Sequence, residues 1–273
     1  MDRNCLTQIR IVEADQLLPF EELPSPDSST ELTLEETRVV RHPLLVTPMD
    51  EFSFLLLDDP AYFQALTRLS LAHLPVQICR PDQISLLPVE AGLIKISRND
   101  ILKIASRHSD QMIIGRQPLS VAPGMEVMFD FGEEATLIVH IRHSKTRGCP
   151  GGLKSLLRDI TRIGRYRPIS YPPSGEVSES TFATPVSGRM TLPAFDLEDL
   201  RTAAATDDLF PFGITDISPS FRVLDIDFPV SVLGADISIG EKELFLRDLV
   251  VLRQQTRRTS SFMGQVFLLN RPT

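Results

Sequence analysis

Short runs of apolar, β-favouring residues alternate along this chain with amphipathic stretches of helical period. We expect a strand where such a run lies between turn residues, and a helix where apolar residues recur every three or four positions behind a capping residue. In the first third, strands are predicted over residues 9–12, 44–47, 52–57 and 74–79. The gap at residues 48–51 has the length of a hairpin turn.

A strand is predicted to lead directly into a helix at residues 57–60. Asp58 or Asp59 can cap this helix, and Pro60 suits its first position because the missing N–H is not needed there. The free N–H groups and positive dipole end of a helix N-terminus favour a phosphate. Two aspartates oppose an anion unless a cationic ligand or a metal ion lies between them, and their oxygens suit Mg²⁺.

The rest of the chain continues the alternation of strands and helices. Helices are predicted over residues 32–40, 99–108, 153–163, 196–206 and 239–256, and strands over residues 126–131, 135–143, 221–228 and 266–269. Residues 23–30 are predicted to form a loop and residues 81–92 a linker, because proline, serine or glycine punctuates both. The predicted fold class is therefore α/β, with a first domain of residues 1–85 and a mixed α/β domain of residues 86–273.

Composition narrows the class of protein. The chain has 273 residues, of which 42% are hydrophobic and 23% charged, as in ordinary globular proteins. Neither a run of the ~20 apolar residues that span a bilayer nor a signal peptide is visible. Three widely spaced cysteines, Cys5, Cys79 and Cys149, argue against a disulfide scaffold and for a reducing compartment. We expect a cytoplasmic protein without a membrane partner.

Charge is unevenly distributed. The net charge of −8 opposes nucleic-acid binding by the chain as a whole. Residues 1–60 carry 13 acidic and 4 basic residues, a balance of −9, whereas residues 95–170 carry 13 basic and 7 acidic residues, a balance of +6. This basic segment has two readings: a solvated face matched to acidic regions of the chain, or a surface for DNA or an anionic metabolite.

Four runs of sequence carry a resemblance to a known family. They are IRIVEADQLLPFEE, LEETRVVRHPLLVTPM, FSFLLLDD and AHLPVQIC, in that order from residue 9 to residue 79. The arrangement resembles the ParB/sulfiredoxin-like fold, and more closely the free-L-serine kinases of that fold, a family with a ParB-like member in the staphyloferrin B siderophore locus. The run DLEDLRTAAATDDLFPFGITDISPSFRVLDIDFPVSVL, residues 196–233, extends the resemblance into the last third.

The resemblance implies roles for five residues. Glu21 stands where these kinases keep a catalytic glutamate, and a carboxylate there suits a general base that takes the proton of a substrate hydroxyl. Arg41 and His42 match an Arg-His-Pro motif and are expected beside the phosphates. Asp58, with Asp59 next to it, matches the start of an Asp-Gly-x-His-Arg motif and is expected to bind substrate, nucleotide or metal.

The remainder of that motif differs in this chain. Asp59, Ala61 and Tyr62 stand where the family has glycine, histidine and arginine. Arginine holds phosphate oxygens by paired, charge-assisted hydrogen bonds that tyrosine cannot replace. A working kinase would need a substitute cation from Arg38, Arg41 or the basic segment.

Two functional hypotheses follow. One is an ATP- or ADP-dependent kinase, with Mg²⁺, that converts L-serine to O-phosphoserine for siderophore or other specialised biosynthesis. The other is a non-catalytic, ligand-sensing regulator or scaffold of the same fold. DNA binding through the basic segment is a further possibility, recognisable by a steep loss of affinity with salt.

Overall fold

The computed structural model describes residues 8–23, 34, 36–115, 124–142, 150–168, 185–255, 259–262 and 266–269. The fold is mixed α/β, and the chain divides into two compact units. The first unit comprises the described residues up to Ser85 and from Ile217 onward, and the second comprises those from Leu86 to Asp216. The chain therefore returns to the first unit after residue 216, whereas we expected residues 217–273 to stay with the second domain.

A five-stranded sheet is the centre of the first unit. The strands before residue 80 are β1 (Ile9–Glu13), β2 (Leu17–Pro19), β3 (Val39–Val40), β4 (Leu44–Pro48), β5 (Phe54–Leu56) and β6 (His73–Ile78). The sheet order is β1-β6-β4-β5-β2. β4 is parallel to β6 and β2 is parallel to β5, while the β1–β6 and β4–β5 pairs are antiparallel. The hairpin and the strands predicted around it are confirmed.

Helix α1 (Pro60–Arg68) begins at the predicted proline, and Asp59 is its N-cap. Phe63, Ala65 and Leu66 turn inward, and Leu66 is completely buried. A fully buried leucine contributes about 2 kcal/mol, so this face fixes the helix against the sheet. Part of the loop predicted over residues 23–30 and of the helix predicted over residues 32–40 lies outside the described residues. In the described part, residues 39–40 form strand β3.

The second unit holds a six-stranded antiparallel sheet in the order β12-β8-β13-β10-β11-β9. The strands from residue 84 to residue 219 are β7 (Ile84–Pro88), β8 (Glu90–Ile94), β9 (Met112–Gly115), β10 (Gly124–Asp130), β11 (Leu137–Arg142), β12 (Arg165–Pro168), β13 (Gly188–Thr191) and β14 (Thr215–Pro219). β7 and β14 form a separate two-stranded sheet. The prediction of a linker over residues 81–92 is wrong. Strands β7 and β8 occupy most of this segment, and β8 lies between β12 and β13 in the sheet.

The described residues of this unit also form the helices α2 (Arg98–Arg107), α3 (Gly151–Ile163) and α4 (Leu197–Thr206). All three were predicted to within two residues. The apolar stripe of α3 is buried at Leu153, Leu156, Leu157 and Ile160, as its period indicates. Ile163, which belongs to the same stripe, is exposed at the last turn.

The returning segment adds small sheets and a long helix to the first unit. Its elements are β15 (Arg222–Leu224), β16 (Phe228–Pro229), α5 (Val230–Leu233), α6 (Ile239–Gln255), β17 (Thr259–Phe262) and β18 (Val266–Leu269). β15 pairs with β18, and β16 pairs with β3. Val223, Ile226 and Phe228 are completely buried in the core that α1 and the five-stranded sheet share. Within the described residues, no helix is both long enough and apolar enough to cross a membrane.

Candidate functional site

Glu21 and Asp58 follow two neighbouring parallel strands. In the register of β2 and β5, Pro19 is opposite Leu56. Glu21 and Asp58 each come two residues after the end of their strand, and the two strands end at the same edge of the sheet. The Glu21 residue is only 8% exposed, so its carboxylate lies within the fold rather than on a solvated surface. Two of the carboxylates that the resemblance singled out thus follow neighbouring strand ends.

Both oxygens of the Asp58 carboxylate have partners. Oδ1 accepts a hydrogen bond from the backbone N–H of Leu45 at 2.7 Å. Oδ2 forms an ion pair with Nη2 of Arg222 at 2.5 Å. The side chains of Asp58 and Arg222 are 27% and 17% exposed. Burial raises the pKa of Asp58, and the Arg222 charge and the Leu45 hydrogen bond oppose that rise.

Gln77 lies on β6, an interior strand between β1 and β4, and holds the strand that carries Arg222. Gln77 is completely buried, its Oε1 accepts from the N–H of Val223 at 2.8 Å, and its Nε2 donates to the carbonyl of Phe221 at 3.0 Å. The guanidinium of Arg222 contacts the same Oε1 at 3.5 Å. These hydrogen bonds orient the Arg222 side chain toward Asp58.

The N-terminus of α1 offers fewer N–H groups than we expected for a phosphate. Pro60 has none, the N–H of Tyr62 donates to the Asp59 carboxylate at 3.0 Å, and the N–H of Phe63 donates to the Asp59 carbonyl at 2.9 Å. Of the first turn, only the N–H of Ala61 remains outside these bonds. Together with the negative charge of Asp59, this makes the helix end alone a poor anion site.

Arg41 and His42 are fastened to the returning segment at Asp225. Nε of Arg41 lies 2.6 Å from the Asp225 carboxylate, and Nδ1 of His42 accepts the backbone N–H of Asp225 at 3.0 Å. Burial is the main cause of a lowered pKa for His42. A neutral imidazole that accepts at Nδ1 carries its proton on Nε2, so His42 offers a hydrogen-bond donor at that atom.

Tyr62 occupies the position of the motif arginine and has a structural task. Its hydroxyl accepts the backbone N–H of Arg41 at 3.0 Å. Burial raises the pKa of Tyr62 to about 12. The phenol is therefore neutral and binds the backbone, and it supplies no positive charge for a phosphate.

Left-handed backbone conformations are concentrated here. Of the non-glycine residues with positive φ in the described part, Arg38, Asp59, Asp225 and Asp227 belong to this region, with φ between 45° and 54°. Each costs about 1–2 kcal/mol. Arg253 holds the turn between β15 and β16 by donating to the Asp225 carbonyl and by lying 3.8 Å from the Asp227 carboxylate. The contacts around this turn offset the strain and keep Arg41 and His42 in place.

The described residues provide no ready-made metal site. Among the residues that the structure describes, no three carboxylate, imidazole or thiol groups lie together as metal ligands would. Asp58, which we expected to bind Mg²⁺, already has Arg222 on one oxygen and a backbone N–H on the other. Mg²⁺ at this position would have to displace Arg222.

The basic segment lies in the second unit, where a buried aspartate neutralises part of it. The Asp159 carboxylate contacts Nε2 of His108 at 3.1 Å, Nη1 of Arg162 at 3.2 Å and Nη1 of Arg107 at 3.4 Å. This cluster ties α2 to α3. Some of the basic side chains of this segment therefore stabilise the packing of α2 against α3.

Sequence reasoning missed the cation of this site. Arg222, Gln77 and Asp225 were assigned no role, although Gln77 lies in the run AHLPVQIC that carries the resemblance. Arg41, one of the candidates that we named, pairs with Asp225. Local sequence gives no signal that would select Arg222, because its partner is 164 positions away.

Known proteins share this fold at low sequence identity. The sequence matches no protein-family model and no curated protein. Among solved structures, SbnI with a C-terminal truncation, from Staphylococcus aureus, superimposes with a TM-score of 0.73 at 14% identity, over 93% of this chain and 100% of that one. A free serine kinase in complex with AMP gives a TM-score of 0.60 at 14% identity, over 83% of this chain and 93% of the kinase.

The same kinase in complex with ADP gives a TM-score of 0.59 at 12% identity, over 83% of this chain and 94% of the kinase. At such identities the likeness shows a shared fold.

Proposed function

We propose that this protein is a nucleotide-binding member of the ParB-like free-serine-kinase fold, and that it transfers phosphate from ATP or ADP to the hydroxyl of L-serine. The observation that carries the proposal is the ion pair of Asp58 with Arg222, at the edge of the sheet where Glu21 follows the neighbouring parallel strand. This edge holds a buried carboxylate and a cation, as phosphoryl transfer to an alcohol requires. The AMP and ADP complexes of the free serine kinase add support for a nucleotide ligand.

Each residue has a task that follows from its surroundings. Glu21 accepts the proton of the serine hydroxyl as the serine oxygen bonds to the terminal phosphorus, the phosphoanhydride bond breaks, and ADP or AMP leaves. A buried carboxylate beside the reacting atoms is a suitable base. Nε2 of His42 donates to a phosphate oxygen. Arg41, fixed through Asp225, adds positive charge near the phosphates. Mg²⁺, if bound, comes with the nucleotide and supplies charge neutralisation.

The second candidate is a non-catalytic nucleotide sensor. The replacement of the motif histidine and arginine by Ala61 and Tyr62 favours it, because both positions lose a phosphate donor. A sensor of this kind binds ADP or ATP without turnover and regulates a biosynthetic partner. The supply of O-phosphoserine to siderophore biosynthesis belongs to the kinase proposal, and DNA binding is a separate activity that neither candidate requires.

Purified full-length protein tests both candidates. ATP and ADP are titrated with Mg²⁺, and O-phosphoserine is then measured from free serine by mass spectrometry. Turnover that disappears in Glu21→Gln and survives in Glu22→Gln, a change at the exposed neighbouring position, supports the kinase. Nucleotide binding without turnover supports the sensor. Absence of binding to either nucleotide overturns the proposed function.

A further inference from the structure

We propose that Arg222 is the phosphate-binding residue of this chain and that Asp58 is its counter-ion rather than a metal ligand. This inference rests on the proposed nucleotide function. It assigns the charge that the motif arginine supplies elsewhere in the family to an arginine on a different strand, 164 positions from Asp58. The chemical class that this site recognises is the phosphate chain of a nucleotide.

The geometry around Arg222 is that of a prepared anion site. Its guanidinium is directed by Gln77 and meets Asp58 at the end of β5, directly before the helix that follows. A guanidinium has five N–H groups. In Arg222, Nη1 contacts Gln77 and Nη2 contacts Asp58, and these two hydrogen bonds leave other N–H groups of the guanidinium for a ligand. The planar fork can therefore bind phosphate oxygens while it remains anchored on Gln77.

Two other arginines near this site bind to the returning segment. Arg41 is paired with the Asp225 carboxylate at 2.6 Å. Arg253 donates to the Asp225 carbonyl and lies beside Asp227. Tyr62 at the motif position is neutral and bonds to backbone. Arg222 is the arginine that points at the carboxylate matching the motif.

Asp58 keeps this guanidinium in place when no phosphate is bound. A half-buried arginine without a partner would be costly, and the short contact to Oδ2 removes that cost. An arriving phosphate competes with Asp58 for the same N–H groups. Asp58 therefore opposes phosphate binding while it positions the residue that performs it.

This arrangement predicts opposite signs for two substitutions. Arg222→Gln removes the cation and weakens binding of a phosphate. Asp58→Asn removes the competing charge, keeps a hydrogen-bond partner of the same shape, and strengthens binding. If Asp58 instead held Mg²⁺, Asp58→Asn would weaken nucleotide binding in the presence of Mg²⁺. The direction of the Asp58→Asn effect thus separates a counter-ion from a metal ligand.

Isothermal titration calorimetry of the full-length chain tests the inference, with ADP and adenosine as probes and with or without Mg²⁺. We expect Arg222→Gln to weaken ADP binding by about tenfold or more and to leave adenosine binding unchanged, because adenosine has no phosphate. The ADP affinity of Arg222→Lys should lie between those of the wild type and Arg222→Gln, since lysine keeps the charge and loses the planar fork. Asp58→Asn should bind ADP several-fold more tightly. Arg10→Gln, which removes an exposed arginine paired with Glu243 in the same unit, should bind as the wild type does.

Distinct results would overturn this inference and the proposed function. If wild-type protein binds ADP and Arg222→Gln binds it equally well, Arg222 is not the phosphate-binding residue, and the proposed function stands without it. If Asp58→Asn loses ADP binding only when Mg²⁺ is present, Asp58 is a metal ligand. If wild-type protein binds neither ADP nor ATP, the proposed function fails and this inference fails with it. Asp58→Asn retains Arg222, so it remains informative even if Arg222→Gln does not fold.

Discussion

Nη2 of Arg222 lies 2.5 Å from Oδ2 of Asp58 and joins the returning segment of the chain to the end of strand β5. The pair is half-buried, so water screens it less than a surface ion pair. The first unit therefore depends on the last third of the sequence for the charge balance of its candidate site.

Loss of either member of this pair should destabilise the protein. We expect Arg222→Gln or Asp58→Asn to lower the free energy of unfolding by about 2 kcal/mol, because each leaves a half-buried charge without its partner. The double variant should lose less than the sum of the two, with a coupling of about 1 kcal/mol or more. Urea unfolding followed by circular dichroism measures all four members of the cycle.

The Arg80–Asp82 pair provides the control for this cycle. Both side chains are well exposed, at 64% and 68%, and lie two residues apart. Arg80→Gln and Asp82→Asn should show no coupling energy above experimental error, since exposed ion pairs contribute little to stability. Equal coupling in the two cycles would contradict a special role for the Asp58 pair.

Asp59 occupies the glycine position of the family motif in a conformation that glycine prefers. Its φ of 46° costs about 1 kcal/mol for a residue with a side chain. Asp59→Gly removes this cost and gives up the cap to the Tyr62 N–H, which glycine replaces with a loss of only about a few tenths of a kcal/mol. We expect stability that is unchanged or higher by up to about 1 kcal/mol, and tighter ADP binding because one negative charge is gone.

The matched variant for this prediction is Asp59→Ala. Alanine loses the cap and keeps the strained φ, so its unfolding free energy should fall by about 1 kcal/mol. Thermal unfolding and ADP titration of both variants give the comparison. A loss of stability in Asp59→Gly as large as that in Asp59→Ala would show that the cap outweighs the strain.

Local sequence predicted α1 and α3 well because their information is local. An Asp-Asp-Pro sequence marks the start of α1, and the apolar period of α3 marks its buried face. The linker prediction over residues 81–92 failed because proline and glycine were read as breaks. In the structure, Pro88 is the last residue of β7, and Gly92 lies inside β8, where a sheet accommodates it.

The candidate site could be predicted only in part. The resemblance indicated Glu21 and Asp58, which follow the ends of two neighbouring parallel strands. The partner of Asp58 comes from a distant strand, and alternation of apolar residues says which side Arg222 faces but not which carboxylate it meets. The strand predicted over residues 221–228 is interrupted by Asp225 and Asp227, whose left-handed conformations depend on tertiary contacts with Arg41, His42 and Arg253.

The buried phenol of Tyr62 should make the protein sensitive to alkali. Its pKa is raised to about 12, whereas an unfolded tyrosine ionises near pH 10. Because the folded pKa is the higher one, the stabilisation is present below about pH 10 and is lost as the pH rises toward 12. Urea unfolding at successive pH values should show the free energy of unfolding fall between about pH 10 and pH 12. In Tyr62→Phe this dependence on pH should be weaker.

Cys79 must be removed for that measurement to be clear. Burial raises the pKa of Cys79 to about 11, so its thiol titrates in an overlapping range and with the same sign. The comparison is therefore made in a Cys79→Ala background. At pH 8, Tyr62→Phe should also cost about 1 kcal/mol, since the N–H of Arg41 loses its acceptor. An unchanged pH profile in Tyr62→Phe would assign the alkaline loss to other groups.

Asp159 should control the acid stability of the second unit. A hydrogen bond from His108, followed by the charges of His108, Arg162 and Arg107, lowers the pKa of Asp159 below that of an unfolded aspartate. Because the folded pKa is the lower one, the stabilisation is present above about pH 4 and is lost as the pH falls further. Asp159→Asn should therefore destabilise the protein by about 1–2 kcal/mol at pH 7 and by less at pH 3, because it leaves the guanidinium groups of Arg107 and Arg162 beside a neutral amide.

Asp82→Asn is the matched control for the acid prediction, because it removes an aspartate that also has a lowered pKa but lies at the surface. Water compensates the loss of an exposed charge, so its unfolding profile should follow that of the wild type at both pH values. Hydrogen exchange can locate the effect of Asp159→Asn, since α2 and α3 should lose protection together when their shared anion is removed. Equal protection of both helices in the variant and the wild type at pH 7 would show that apolar packing alone holds them, and that the cations of the basic segment do not need Asp159.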